Sequence, residues 1–187
     1  MTIYDEKYLN KTFLSTEIQN NEFDGCSFVN CSFAECRLEF CDFINCSFES
    51  CDFSKVFVND CGLKDVQFES CKLLGFNFNH CKEFLFQVNF LNCQLDYAIF
   101  SKCNLKGTIF KDCIIKESDF SQCNLTQTQF IESVLSGSLF DGCQIIKTNF
   151  QSAIDYTLNP NTNLIKGALF SSNNLEGLVR HINIKID

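Results

Sequence analysis

The chain has no tryptophan, one proline, one methionine, two histidines and 8 glycines in 187 residues. So little proline and glycine leaves little material for long irregular loops. His80 and His181 are a thin supply of general bases and metal ligands. No apolar run approaches the ~18 residues that a spanning helix needs. The opening MTIYDEKYLN has neither the basic start nor the apolar core of a secretory signal. Basic charge is also short: the net charge is −8 and the sequence pI about 4.7. That disfavours nonspecific binding to nucleic acid or anionic lipid, which needs a basic patch, and fits a basic partner. The expected setting is cytoplasmic, where thiols stay reduced.

Against these scarcities stand 14 cysteines and 22 phenylalanines. In CSFVNCSFAECRLEFCDFINCSFESCDF a cysteine falls at Cys26, Cys31, Cys36, Cys41, Cys46 and Cys51. This period of five matches neither a helix nor a plain strand. Large apolar residues repeat with it, from Phe13, Ile18, Phe23 and Phe28 through to Phe78. At CKEFLFQ, residues 81–87, two extra residues shift the phase. The period then resumes as Phe90, Leu95, Phe100, Leu105 and onward to Phe150. Call each large residue a centre, i. All 14 cysteines occupy i−2, where other units carry Ala98, Ser118, Thr128 or Val66. The unit is therefore one large and one small inward residue with three outward ones. Short units of this kind bury a continuous core only by stacking on their neighbours.

CDFIN (41–45), CDFSK (51–55), CNLKG (103–107), SDFSQ (118–122) and CNLTQ (123–127) carry the motif most clearly. From Lys11 to Ala153 the chain resembles the pentapeptide-repeat family. What the resemblance implies is an all-β fold, a right-handed quadrilateral parallel β-helix. Four units make one square coil, residues 20 apart stack, and about seven coils follow at the ~4.8 Å strand spacing. Residues 1–10 are expected to cap the first coil, and 156–187 to form a C-terminal cap or dimerisation segment. In that segment Asn173 and Glu176 have capping-box spacing. Leu175, Leu178, Val179 and Ile182 follow helical spacing, and Ile182, Ile184 and Ile186 alternate as in a terminal strand. These six apolar residues either cover the chain's own core or make a two-fold homodimer. The break at 81–87 reads as a bulge at one corner of a coil, or as a recognition bump carrying Phe84 or Phe86.

Thiol chemistry does not follow from this spacing. Zinc sites want short ligand pairs that converge, whereas a uniform five sends successive cysteines to different sides of the square. Stacked pairs such as Cys31 and Cys51 would run parallel, a poor disulfide geometry. The cysteines read as small hydrophobes, with no metal and no cofactor. No nucleophile, metal or phosphate-loop motif occurs, so no enzyme is expected. The acids carry more information. Residues 1–53 hold ten acids against Lys7, Lys11 and Arg37, a net of −7. Glu22, Asp24, Glu39, Asp42, Glu49, Asp52 and Glu69 are the candidate acidic partner-binding surface. Glu22 should stack on Asp42, Glu49 on Glu69, and Asp112 on Glu132. Apolar residues also fall at outward slots: Ile114 with Val134, Ile99 with Leu139, and Phe40 and Phe57.

Two functions remain open. The resemblance extends to bacterial pentapeptide-repeat proteins of the quinolone-resistance and microcin-immunity type. It implies a DNA mimic that binds and protects DNA gyrase or topoisomerase IV without touching nucleic acid or membrane itself. The alternative is a protein-interaction scaffold whose partner is unrelated.

Overall fold

The computed structural model describes residues 1–84, 86–182 and 184. It is a parallel β-solenoid of three- and four-residue strands joined at square corners. Thr2–Tyr4, Glu22–Asp24, Asp42–Ile44 and Gly62–Lys64 form one face, each strand 20 residues from the next. The adjoining face is a seven-stranded parallel sheet. It starts at Lys7–Leu9, Ser27–Val29, Ser47–Glu49 and Val66–Glu69. It continues through Val88–Leu91, Ile109–Lys111 and Gln129–Ile131, and bridges carry it on to Asn149 and Leu169. The other two faces are held by Arg37–Glu39 on Phe57–Asn59 and by single bridges such as Ser32 to Asp52 to Lys72.

The five-residue period arises from the backbone of the corner. The residue at i+2 takes a left-handed conformation in coil after coil, for example Asn10, Asn30, Ser50 and Ser70 at φ 52, 52, 54 and 54°. That turns the chain by a right angle after each short strand, and Asn, Asp and Gly enter the region at least cost. Centres and i−2 residues then point inward and the other three slots outward. The centres from Phe13 to Phe150 are buried, and so are all the cysteines except the half-buried Cys103.

The phenylalanines stack along the rod. Phe28, Phe48, Phe68 and Phe90 lie ring over ring at 4.7, 5.2 and 5.4 Å. Neighbouring faces meet edge to face, as Phe43 and Phe53 do against Phe48 at 5.2 and 5.3 Å. Both arrangements suit the ring quadrupole. Phe76 is a large and fully buried residue at an i−2 slot. Its ring sits 4.3 Å from Phe78, and the small Ala98, one coil on at the equivalent slot, leaves it room.

The i−2 slot has a polar logic as well. Its side chain donates to the carbonyl of the centre 23 residues earlier. Cys36 Sγ reaches Phe13 O at 3.1 Å, Ser118 Oγ reaches Leu95 O at 2.7 Å, and Thr128 Oγ1 reaches Leu105 O at 2.7 Å. Thiol and hydroxyl are thus alternative weak and strong donors to one acceptor position.

Both ends differ from the sequence expectation. Thr2–Tyr4 and Lys7–Leu9 do not lie over the first coil but form it, with Ile3 and Tyr8 packed on the core as its centres. At the other end the coils pass Ala153 and run to Phe170, as the bridges Gln144–Leu164 and Asn149–Leu169 record. Asn163 takes an i−2 slot there, its Nδ2 donating to Phe140 O at 3.0 Å.

The segment after Phe170 is a short helix of the tight 3₁₀ kind, Ser172–Leu178, followed by Arg180–Ile182. Its cap is Ser171, whose side chain accepts from the Asn173 N–H at 3.2 Å, not the expected Asn173. Asn174 breaks the helical dihedrals at φ −135° because its Nδ2 is drawn to Ala153 O at 2.9 Å. Glu176 pairs with Arg180 at 2.7 Å and so closes no capping box. Ile182 ends a helical turn, and the expected strand beyond it lies mostly outside the described residues. Ile184 is exposed, and Ile186 lies outside the described residues. Among the described residues no helix is long and apolar enough to cross a membrane.

Candidate functional site: the outward slots

Most inward thiols are buried. Burial pushes the thiols of Cys46 and Cys103 up to about 12 and that of Cys143 to about 11. Cys41 is raised too, by its hydrogen bond to Cys61 Sγ at 3.5 Å and by burial. Desolvation of the thiolate is the common cause, and a thiol held neutral is a poor nucleophile and a poor metal ligand. Among the described residues no group of three or more His, Cys, Asp or Glu is placed to hold a metal ion.

The candidate acids lie outward, on all four faces. Glu22, Asp24 and Asp42 share the first face, with Glu22 opposite Asp42 in register. Glu49 and Glu69 are opposite each other on the second. Asp52 sits on the third, bridged to Ser32 below and Lys72 above. Glu39 sits on the fourth, where Arg37 Nε holds it at 2.8 Å. That ion pair is the main reason the Glu39 carboxyl lies below its ordinary range. Register therefore makes the predicted ladders Glu22–Asp42 and Glu49–Glu69, and brings Asp112 beside Glu132 just beyond the Lys111–Ile131 pair. It does not gather the seven acids into one stripe. The first-face column passes from Asp42 to Gly62, and the second-face column from Glu69 to Leu91 and Lys111.

The break is more organised than either a plain bulge or a free bump. Stacking partners lie 20 residues apart up to Cys61–Cys81, and 22 apart from Val66–Val88 to Asn77–Ile99. Phe86 turns in against Phe78, ring centroids 6.3 Å apart. Phe84 points out and is 82% exposed. Lys82 reaches back across two coils to Asp42, Nζ to the two carboxylate oxygens at 2.7 and 3.0 Å. Gly62 makes this reach possible. It stands between them in the column, and a Cβ there would collide with Asp42 Oδ1. The sequence pattern missed this link because Asp42 and Lys82 are 40 residues apart and Gly62 reads only as a weak outward residue.

The outward apolar residues are partly gathered. Ile114, Val134 and Ile154 bridge in one column, whereas Asp119 separates Ile99 from Leu139. The Arg37 guanidinium lies 4.3 Å from the centroid of the Phe57 ring. At the C-terminal end Leu178 packs on the core, Val179 is half-buried, and Leu175 and Ile182 are exposed.

A family model described as the pentapeptide repeat region matches residues 41–110 and 97–178. The chain belongs to the pentapeptide-repeat family. Among solved structures, it is similar to HetL, a pentapeptide repeat protein involved in heterocyst differentiation regulation from the cyanobacterium Nostoc sp. The identity is 12%, covering 91% of this chain and 86% of that one, with a TM-score of 0.56. QnrB1, a plasmid-mediated fluoroquinolone resistance protein, matches at 14% identity over 98% of this chain and 100% of its own, with a TM-score of 0.42. A pentapeptide repeat protein of the Arabidopsis thaliana thylakoid lumen matches at 17% identity over 75% and 72%, with a TM-score of 0.23. No curated protein matches. At these identities the likeness concerns the fold, and function has to be argued from the outward slots.

Proposed function

We propose that this pentapeptide-repeat solenoid is a non-enzymatic protein-binding rod that engages a basic partner surface through its N-terminal coils. The partition of the slots carries this reading. The cysteines lie at inward slots, and burial raises the thiols of Cys46, Cys103 and Cys143, while residues 1–53 carry ten acids, most of them at outward slots, against three bases. Complementary charge of this kind raises association rates and selects partners of opposite sign.

A finer form of the reading is that the partner is DNA gyrase or topoisomerase IV and that the rod stands in for DNA. The seven candidate acids fall within about 12 Å of rod axis at the ~4.8 Å strand spacing, roughly one per 2 Å. Duplex DNA carries one charge per ~1.7 Å. Arg37, Lys55 and Lys64 lie in the same span and lower the net density. The carboxylates also surround the rod instead of following one groove. The supercoiling activity of purified gyrase, measured with and without a quinolone, tests the finer form. Inhibition or protection at micromolar protein supports it, and neither effect at that concentration refutes it.

The scaffold reading with an unrelated partner draws on the apolar column Ile114, Val134 and Ile154. A C-terminal homodimer is a further proposal, for which the exposed Leu175, Ile182 and Ile184 are the available apolar residues, since Leu178 packs on the chain's own core. Light scattering at micromolar concentration tests that contact, and a monomer removes it.

A further inference from the structure

We propose that the basic partner docks on one particular surface, the groove that Ile44, Lys64 and Phe84 line beside the Asp42–Lys82 pair. We further propose that it presents there an apolar side chain flanked by Lys or Arg. This rests on the reading of a basic protein partner given above.

Three observations converge on that surface. The first is how Phe84 is held. The insertion is tied down on one side by Lys82 on Asp42 and on the other by Phe86 against Phe78. Phe84 therefore projects close to two anchored side chains, Lys82 and Phe86, and an aromatic ring has few rotamers to lose on binding. The second is Phe40. It occupies the left-handed corner at φ 53° and is 53% exposed. Asn20, one coil before it at the same corner, and Asp60, one coil after, are the residue types that this conformation favours. Phe40, like Tyr97 at a later corner, is a bulky aromatic that keeps about half of its surface exposed in a backbone region that favours other residues, and it stands two residues from Asp42 in the groove lining. The third is the groove itself. It has a volume of about 290 Å³, and its lining includes Ile44 and Phe84 with two acids, Glu22 and Asp42, and two bases, Lys64 and Lys82. The Asp42–Lys82 ion pair fills the space over Gly62 and forms one side of the groove, with Ile44 and Phe84 supplying its apolar part.

Charge selects the occupant. Lys82 neutralises Asp42. With Glu39 paired to Arg37, Glu22, Asp24, Asp60 and Asp65 stand against Lys64 on the lining residues and their chain neighbours, so an incoming segment meets a surplus of carboxylates. A Lys or Arg can also lie on the open Phe84 ring, a contact that strengthens as water leaves. Nucleic acid and anionic membrane are repelled by the same charges.

A peptide-display library of random sequence, selected against the full chain, supplies the test. Enriched peptides are then titrated against wild type, Phe84→Ala, Phe40→Asn and Leu139→Ala, the last a control three coils away. Far-UV circular dichroism checks that each variant is folded. The expected result is enrichment of Lys and Arg around an aliphatic or aromatic residue. Phe84→Ala should weaken binding at least tenfold, Phe40→Asn severalfold, and Leu139→Ala less than twofold. Basic peptides that bind folded Phe84→Ala as tightly as wild type would overturn this docking surface and leave the basic-partner reading standing. Neutral or acidic peptides, or none, would overturn both.

Discussion

Phe48→Ala and Phe84→Ala remove the same atoms from the same chain, and the phase of the repeat assigns them opposite outcomes. Phe48 is buried at a centre, stacked on Phe28 and Phe68 at 4.7 and 5.2 Å, with Phe33, Phe43 and Phe53 edge-on at 5.6, 5.2 and 5.3 Å. Phe→Ala in a packed core costs about 3–5 kcal/mol, the transfer of the ring plus the cavity left behind. A solenoid holds together through contacts between neighbouring coils, and Phe48 takes part in the contacts on both its sides. We expect the upper half of that range, about 4–5 kcal/mol. Phe84 is exposed and contacts solvent on most of its surface, so its removal should change stability by no more than about 0.5 kcal/mol. Urea unfolding followed by far-UV circular dichroism reads both, with the midpoint shift multiplied by the common slope. A loss below about 1.5 kcal/mol for Phe48→Ala would refute the stacked-centre reasoning. So would a loss above about 1 kcal/mol for Phe84→Ala, since it would mean that the insertion is part of the core.

Other consequences follow from burial and register. Thiols raised from 9.0 to about 12, as at Cys46 and Cys103, have roughly a thousandfold less thiolate at pH 8. Native protein at that pH should therefore consume a disulfide reagent far more slowly than the denatured chain. The sign is that reactivity rises with pH through the raised values, and the half-buried Cys103 should lead. Rapid titration of many thiols in the native state would contradict the burial. On the second face Glu49 and Glu69 stand opposite each other. Glu69→Lys should turn repulsion into attraction and stabilise by a few tenths of a kcal/mol up to about 1 at low salt. The gain should shrink in high salt, and a gain independent of ionic strength would point to another cause.

The repeat was legible because its inward slots are chemically narrow. A cysteine at every i−2 fixes the phase, the phase fixes which side chains are buried, and the 20-residue stack then gives neighbours such as Glu22 and Asp42. Legibility failed where the i−2 residue stops being small. Ile3 and Tyr8 keep the period of five back to the start of the chain. They are preceded two residues earlier by Met1 and Glu6, so the first coil reads as a lid. Ile165 and Phe170 are centres behind Asn163 and Ala168. The irregular passage at Tyr156–Thr162 interrupts the count, and Leu158 there takes a buried position two residues early. The helix cap was misplaced by two residues because Ser171 and Asn173 are both good caps. Ser171 is the one that caps, where Asn174 is held by Ala153 O and by the Tyr156 hydroxyl. At the surface, each acid could be placed on a face by counting. What counting could not give is a contact that crosses an empty slot. Lys82 finds Asp42 only because Gly62 has no side chain.

The central claim is that the cysteines set the fold's phase as small inward donors and take no part in function, which belongs to the outward slots. Cys31, Cys51 and Cys71 stand in one column whose later coils carry Ser133 and Ala153. Ser133 already donates there to Phe110 O at 3.2 Å. The triple variant Cys31→Ser, Cys51→Ser, Cys71→Ser, purified and compared with wild type for far-UV circular dichroism, metal content and titration of the selected basic peptides, is the most direct test. The account predicts an unchanged spectrum, metal-free protein in both cases and peptide affinity within twofold. Stoichiometric metal in the wild type that the variant loses, or a folded variant that no longer binds, would contradict it.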